Sequence, residues 1–199
     1  MALGGSFHAE NPFSTRHVRP GALPFLFPPG QDAEGLVETL RARGWQGAIV
    51  GPHGSGKSAL VAALVRALEQ AGRKAILIEL HDGQRRLPID LRRVDARASA
   101  VVIVDGYEQL SHWNRWRLRR QCRRRDFGLL VTSHQPTSLP LLFRTSTNAA
   151  LAQEIVRLLL GGQTDFVEAD DLAERLECHG GNLRELLFEL YDVYEQRGA

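Results

Sequence analysis

Gly51-Pro52-His53-Gly54-Ser55-Gly56-Lys57-Ser58 decides the reading of this chain. The spacing is Gly-x4-Gly-Lys-Ser, set between an apolar run ending at Val50 and a helical pattern beginning at Lys57. Glycines let the backbone curl so that successive N–H groups point inward at phosphate oxygens. The positive end of the following helix adds a partial charge that favours an anion. In such a loop the Lys57 ammonium reaches the β- and γ-phosphates and the Ser58 hydroxyl ligates Mg²⁺. Residues Gly51, Pro52, His53, Gly54, Ser55, Gly56, Lys57 and Ser58 are therefore expected to cradle nucleotide phosphates. The lysine is conspicuous, because the chain holds 2 Lys, at positions 57 and 74, against 23 Arg.

Outward from this loop, short apolar runs alternate with helical stretches. Strands are expected at 46–50, 74–80, 100–104 and 128–132, with a fifth at 139–144. Helices are expected at 31–43, 57–71, 107–125 and 148–160. Runs of Val, Ile and Leu without polar alternation point to strands buried on both faces, and so to a parallel sheet covered by helices. After Gly161-Gly162 two short helices, near 170–178 and 183–196, have no strand between or after them. The expected organisation is an irregular N-terminal segment, 1–30, packed on the core through Phe13, Phe25 and Phe27, an α/β core over 31–160, and a helical lid over 161–199. The last 35 residues hold ten acidic and three basic side chains, so this end differs in charge as well as pattern.

A nucleotide site also needs a carboxylate for its metal, usually at the tip of a neighbouring strand. Val101-Val102-Ile103-Val104-Asp105 supplies it, and Asp105 is expected to hold Mg²⁺ together with Ser58. These residues resemble the P-loop NTPase superfamily, in particular its branch with an extra strand between the two motifs, which includes the AAA+ ATPases. The resemblance implies a three-layer α/β core of about five parallel strands with a helical lid, and ATP and Mg²⁺ as ligands. Most members of that branch carry a Glu directly after the metal-binding Asp to polarise the attacking water. Here that position is Gly106, and the nearest carboxylate is Glu108. Glu108 either turns back to act as base or serves as an acid favoured at a helix start.

The run Thr132-Ser133-His134 ends an apolar strand in polar groups. The resemblance implies that this tip lies beside Asp105 and senses the γ-phosphate, with Ser133 taken among the catalytic candidates beside Lys57, Glu108 and Arg184. Arg184 follows Gly180-Gly181-Asn182-Leu183 and falls in the first turn of a helix capped by Asn182. A cation there opposes the helix dipole unless an anion compensates it. In AAA+ lids a similar Gly-x-x-Arg sequence aims an arginine at the phosphates.

Seven arginines lie between Arg115 and Arg125, interleaved with Trp116, Leu118 and Cys122 and preceded by Trp113. A solvated face, a protein partner or second copy, and nucleic acid are the three readings, with nucleic acid the least favoured. Composition sets the frame for all of this. The chain has 199 residues, 43% hydrophobic and 24% charged, with a net charge of +2, which suits a soluble globular protein and gives no general pull toward membrane or nucleic acid. Two cysteines in no metal-binding spacing make zinc improbable, and the absence of a leader or a long apolar run makes a cytoplasmic protein the expectation. The expected activity is Mg²⁺-dependent ATP hydrolysis coupled to a switch or to partner remodelling. Its rivals are a phosphotransferase, which requires the Asp105 strand directly beside the Val50 strand, and a nucleotide-dependent switch or adaptor without turnover that acts at nucleic acid.

Overall fold

The computed structural model describes residues 11–18, 22–81, 83–94, 100–162 and 166–198; Gly4-Gly5 and Pro20-Gly21, in the segment expected to be irregular, lie outside them. The elements in chain order are α1 (Thr15–Val18), α2 (Ala33–Ala42), β1 (Gln46–Val50), α3 (Lys57–Gln70), β2 (Lys74–Glu79), β3 (Ala100–Asp105), α4 (His112–Arg124), β4 (Gly128–Ser133), β5 (Leu141–Arg144), α5 (Ala149–Leu159), α6 (Ala169–Cys178) and α7 (Leu183–Gly198). Short 3-10 turns cover Leu91–Arg93 and Tyr107–Gln109. The chain divides into two compact units, residues 24–146 and residues 1–23 with 147–199.

The first unit is a five-stranded parallel sheet in the order β2-β3-β4-β1-β5. Side chains of a strand alternate between faces, and the central strands are apolar on both. Val102, Val104, Leu129 and Val131 join Leu118 and Cys122 of α4 on one face. Val101, Ile103, Ile49 and Leu130 join Leu36 and Leu40 of α2 and Leu60 and Leu64 of α3 on the other. Each such buried side chain contributes roughly 1.5–3 kcal/mol, so the three layers follow directly from the uninterrupted apolar runs. The edge strand β2 departs from that expectation: Lys74, Leu77 and Glu79 are exposed.

Side-chain caps set where several helices begin. Asp32 Oδ1 accepts from Gly35 N at 2.8 Å, and Asn148 Oδ1 from Leu151 N at 2.8 Å. The stretch expected as one helix over 107–125 is broken instead. A 3-10 turn at Tyr107–Gln109 is followed by extended Leu110, and Ser111 caps α4, accepting from Asn114 N at 3.3 Å. That break decides where Glu108 goes.

In the second unit α5, α6 and α7 gather with the N-terminal residues. Phe13, fully buried, stacks on Phe166 at 5.5 Å and meets Tyr194 edge-on at 6.1 Å. Asn11 Nδ2 donates to Glu195 Oε1 at 2.7 Å. The early aromatics thus part company: Phe13 belongs to the helical unit, while Phe25 packs with Phe27 and Phe143 in the sheet unit. Helix α5, expected in the core, also falls with the helical unit. Among the described residues no helix is long and apolar enough to cross a membrane.

Candidate active site

The carboxyl ends of β1, β4 and β3 lie level, with Val50 opposite Ser133 and Val104 opposite Val131. In an open parallel sheet this edge, where strand order reverses, is where ligands bind. β1 runs into the loop 51–56, and Gly56 caps α3. Gly51 is fixed by close approach. A Cβ there would stand 2.0 Å from Thr145 Oγ1 and 2.8 Å from Ser55 Oγ. Ser55 Oγ lies 2.6 Å from the buried Thr145 Oγ1 and donates to Pro52 O at 2.8 Å, so the loop is pinned to the end of β5.

Lys57 is buried, and its Nζ donates to Gly51 O at 2.8 Å and Pro52 O at 2.6 Å. Burial lowers its pKa, opposed by the negative charges of Glu108 and Asp105. Ser58 Oγ donates to Asp105 Oδ2 at 2.8 Å. Thr132 Oγ1 donates to the other carboxylate oxygen, Oδ1, at 2.5 Å, and accepts from Gly106 N at 3.0 Å. The pair expected to hold Mg²⁺ is therefore already side by side, with Thr132 orienting the carboxylate from the neighbouring strand.

Gly106 has φ of +83°, and a Cβ there would meet Leu80 O at 2.8 Å. Both the left-handed backbone and the backbone contact exclude a side chain. The position at which the resembling ATPases carry their glutamate is thus closed to one in this chain. The turn after it brings Glu108 back to the sheet edge, where Glu108 Oε1 lies 3.0 Å from His134 Nε2. Its second oxygen is buried and has no hydrogen-bond partner among the described residues. Arg115 fastens the turn from α4, donating to Glu108 O at 2.8 Å and Leu110 O at 2.9 Å. We expect Gly106→Ala to lower stability by about 2 kcal/mol or more, read as a fall in melting temperature; a melt equal to the parent's shows that the turn tolerates a side chain.

His134 links the two halves of the site. Its Nδ1 lies 3.2 Å from Lys57 Nζ and 3.2 Å from Gly51 O, and its ring stacks on His53 at 3.5 Å. Burial and the charge of Lys57 lower its pKa, which favours the neutral ring. With the Nε2 proton donated to Glu108, Nδ1 accepts from Lys57. Ser133, expected among the catalytic groups, is placed differently. Its side chain lies on the opposite side of the strand from its neighbours, its Oγ accepts from Gln135 N at 3.2 Å, and its carbonyl accepts from Gly51 N at 3.1 Å. Strand alternation groups Thr132 with His134, and those two reach Asp105 and Glu108. Arg184 belongs to the helical unit, where it is exposed and lies over the Phe188 ring at 5.5 Å, with Asn182 Oδ1 accepting from its N–H at 3.1 Å.

The residues fit a nucleotide–metal ligand on these observations: a loop that a Cβ would fill, a hydroxyl and carboxylate paired at the strand ends, and a buried carboxylate oxygen without a partner. The β4 strand separates β3 from β1, so the arrangement required by a phosphotransferase, Asp105's strand beside Val50's, is not the one formed.

No family model and no curated protein match the chain in sequence. Among solved structures it is similar to the Walker-type ATPase PABY2304 of Pyrococcus abyssi, with TM-score 0.60 over 94% of this chain and 72% of that one, at 11% identity. C. elegans PCH-2 aligns with 84% of this chain and 66% of its own length at 12% identity, with TM-score 0.40. The strand order, with β4 between β3 and β1, and the similarity agree: this chain has a five-stranded parallel α/β fold like that of the Walker-type ATPase.

Proposed function

We propose that this protein binds ATP·Mg²⁺ at the loop 51–58 and hydrolyses the β–γ bond, the energy driving a conformational switch or the remodelling of a partner. The observation that carries the reading is the Glu108–His134 pair, held at 3.0 Å with His134 beside Lys57, together with the Ser58–Asp105 pair. Ser58 and Asp105 would hold Mg²⁺, which supplies positive charge against the phosphates. Lys57 binds the outer phosphates through its buried ammonium. The Glu108 carboxylate takes the proton of the attacking water. His134 keeps Glu108 in place, a positioning role. Arg184 is assigned to the γ-phosphate, as the resemblance implies, with its dipole-opposed position at the start of α7 as support.

Asp105→Asn tests the reading. The amide keeps shape and a hydrogen bond but loses the charge that a metal requires, so Mg²⁺-dependent phosphate release is expected to drop at least a hundredfold, roughly 2.7 kcal/mol in the barrier. The melting temperature should move by no more than a few degrees. Parallel losses of stability and activity mark Asp105 as structural, and tight ATP binding without turnover in the parent leaves the switch reading in its place.

A further inference from the structure

The arginine-rich helix α4 has two differently used sides. Arg115 is spent on the Glu108 turn, and Arg125 donates to Leu91 O at 3.0 Å and Val94 O at 2.8 Å. Leu118 and Cys122 face the sheet. The other side holds Trp113 and Trp116, 67% and 51% exposed, where most tryptophans are largely buried. Their rings stack at 5.0 Å with 25° between planes, and Arg120 lies over Trp116 at 5.4 Å. With Arg117, Gln121 and Arg124 they line a shallow concavity of about 360 Å³.

No carboxylate occurs anywhere on α4. Among the described residues, Arg117, Arg120 and Arg124 form no ion pair. Cations three and four residues apart repel one another along a helix, and a polyanion relieves that repulsion. The guanidinium fork matches phosphate oxygens two at a time. The tryptophans say which polyanion. Flat aromatic faces in water beside arginines are the combination that holds unpaired bases and their backbone together, whereas an acidic peptide would use the arginines and leave the rings bare. The acidic helical unit of a second copy is a poorer match, because its carboxylates are partly committed within the unit: Asp171 and Glu189 to Arg175, Glu189 to His179, and Glu195 to Asn11.

We infer that the exposed face of α4, built from Trp113, Trp116, Arg117, Arg120 and Arg124, is a docking surface for single-stranded nucleic acid. Bases stack on the tryptophans and phosphates sit on the arginines.

The test is fluorescence anisotropy of a labelled oligothymidylate of about twenty nucleotides, long enough to span one such surface, titrated with the full chain without nucleotide. It reads no turnover, so its outcome is separate from the ATPase reading. The triple variant Arg117→Ala/Arg120→Ala/Arg124→Ala is expected to bind at least tenfold more weakly. It should also flatten the slope of log affinity against log salt by about 2, from roughly 0.7 per lost phosphate contact. Trp113→Ala/Trp116→Ala should weaken binding about tenfold with the slope unchanged, since stacking releases no counterions. Duplex of the same length should compete poorly, its bases being already stacked. No binding by the parent at low salt, unchanged affinity in both variants, or equal competition by duplex overturns the proposal. So does binding of polyglutamate but not oligothymidylate, which would give the face to an acidic protein, or a doubled molar mass that the arginine variant abolishes. Melts of both variants control for folding. If the triple variant does not fold, Trp113→Ala alone, at the most exposed position, carries the test.

Discussion

Lys57→Ala is expected to weaken ATP·Mg²⁺ by at least a hundredfold, to the point where calorimetry detects no heat of binding, while leaving the protein as stable as its parent. The two halves of this expectation have one cause. The ammonium is buried and held by neutral acceptors, Gly51 O and Pro52 O, and among the described residues no carboxylate touches it. Burial therefore lowers its pKa despite the charges of Glu108 and Asp105 nearby. A desolvated cation of this kind contributes little to folding, and alanine relieves the penalty. Toward phosphate the balance reverses. Each hydrogen bond from a charged donor is worth about 1.5–3 kcal/mol, so two of them exceed the roughly 2.7 kcal/mol of a hundredfold loss. The sheet unit's other lysine, Lys74, begins β2 and so stands at the opposite end of the sheet from the loop. Because the pKa is lowered, the ammonium deprotonates before an ordinary lysine would, and ATP affinity should fall as pH rises toward that value. Unchanged affinity in the variant removes the phosphate loop from the function altogether.

How much of this site is legible in the sequence depends on whether a residue acts through its neighbours in sequence or in space. The loop 51–58 is local: strand, glycine turn and helix are contiguous, and the spacing alone placed Lys57 and Ser58. Asp105 was legible for the same reason, at the end of an apolar run. The sequence alone does not decide Glu108, because a helix over 107–125 and a 3-10 turn followed by Leu110 give opposite positions to its carboxylate. Ser111 was the readable signal, a capping residue at the true start of α4. The third group was legible only in part. Thr132, Ser133 and His134 were seen as a polar strand tip, and period-two alternation sorts them without any structure, yet the partners of each required knowing that β4 lies between β3 and β1. Thr145 carried no signal at all. Its contact with Ser55 and Gly51 spans some ninety residues and exists because β5 is the strand beside β1. The burial of Phe13 in the helical unit is the same kind of long-range fact, invisible in an irregular segment.

Glu108→Gln is expected to keep ATP bound within about threefold of the parent while slowing phosphate release at least tenfold, a barrier increase of about 1.4 kcal/mol. The chain cannot place a carboxylate directly after Asp105, because Gly106 is held in a left-handed conformation against Leu80 O. The 3-10 turn and the two hydrogen bonds from Arg115 bring the next one back instead. Glutamine fills the same space, and its carbonyl oxygen still accepts from His134 Nε2, so the phosphate side of the site is left as it was. What it lacks is a carboxylate able to take the water's proton. A slow variant with intact ATP affinity therefore assigns the proton to the Glu108 carboxylate. The pH profile supplies an independent check. Burial and Lys57 lower the His134 pKa below 6.5, so the ring stays neutral at pH 7 and gains its proton only in more acid solution. Protonation turns Nδ1 from an acceptor of Lys57 into a donor toward Gly51 O, 3.2 Å away, and sets two cations side by side. The folded state thus binds this proton less readily than the unfolded chain, and stability is lost as pH falls from 6.5 toward the lowered value. His134→Gln should remove that acid loss. If Glu108→Gln hydrolyses ATP at the parent rate, some other group orients the water, and the pair at 3.0 Å only braces the loop.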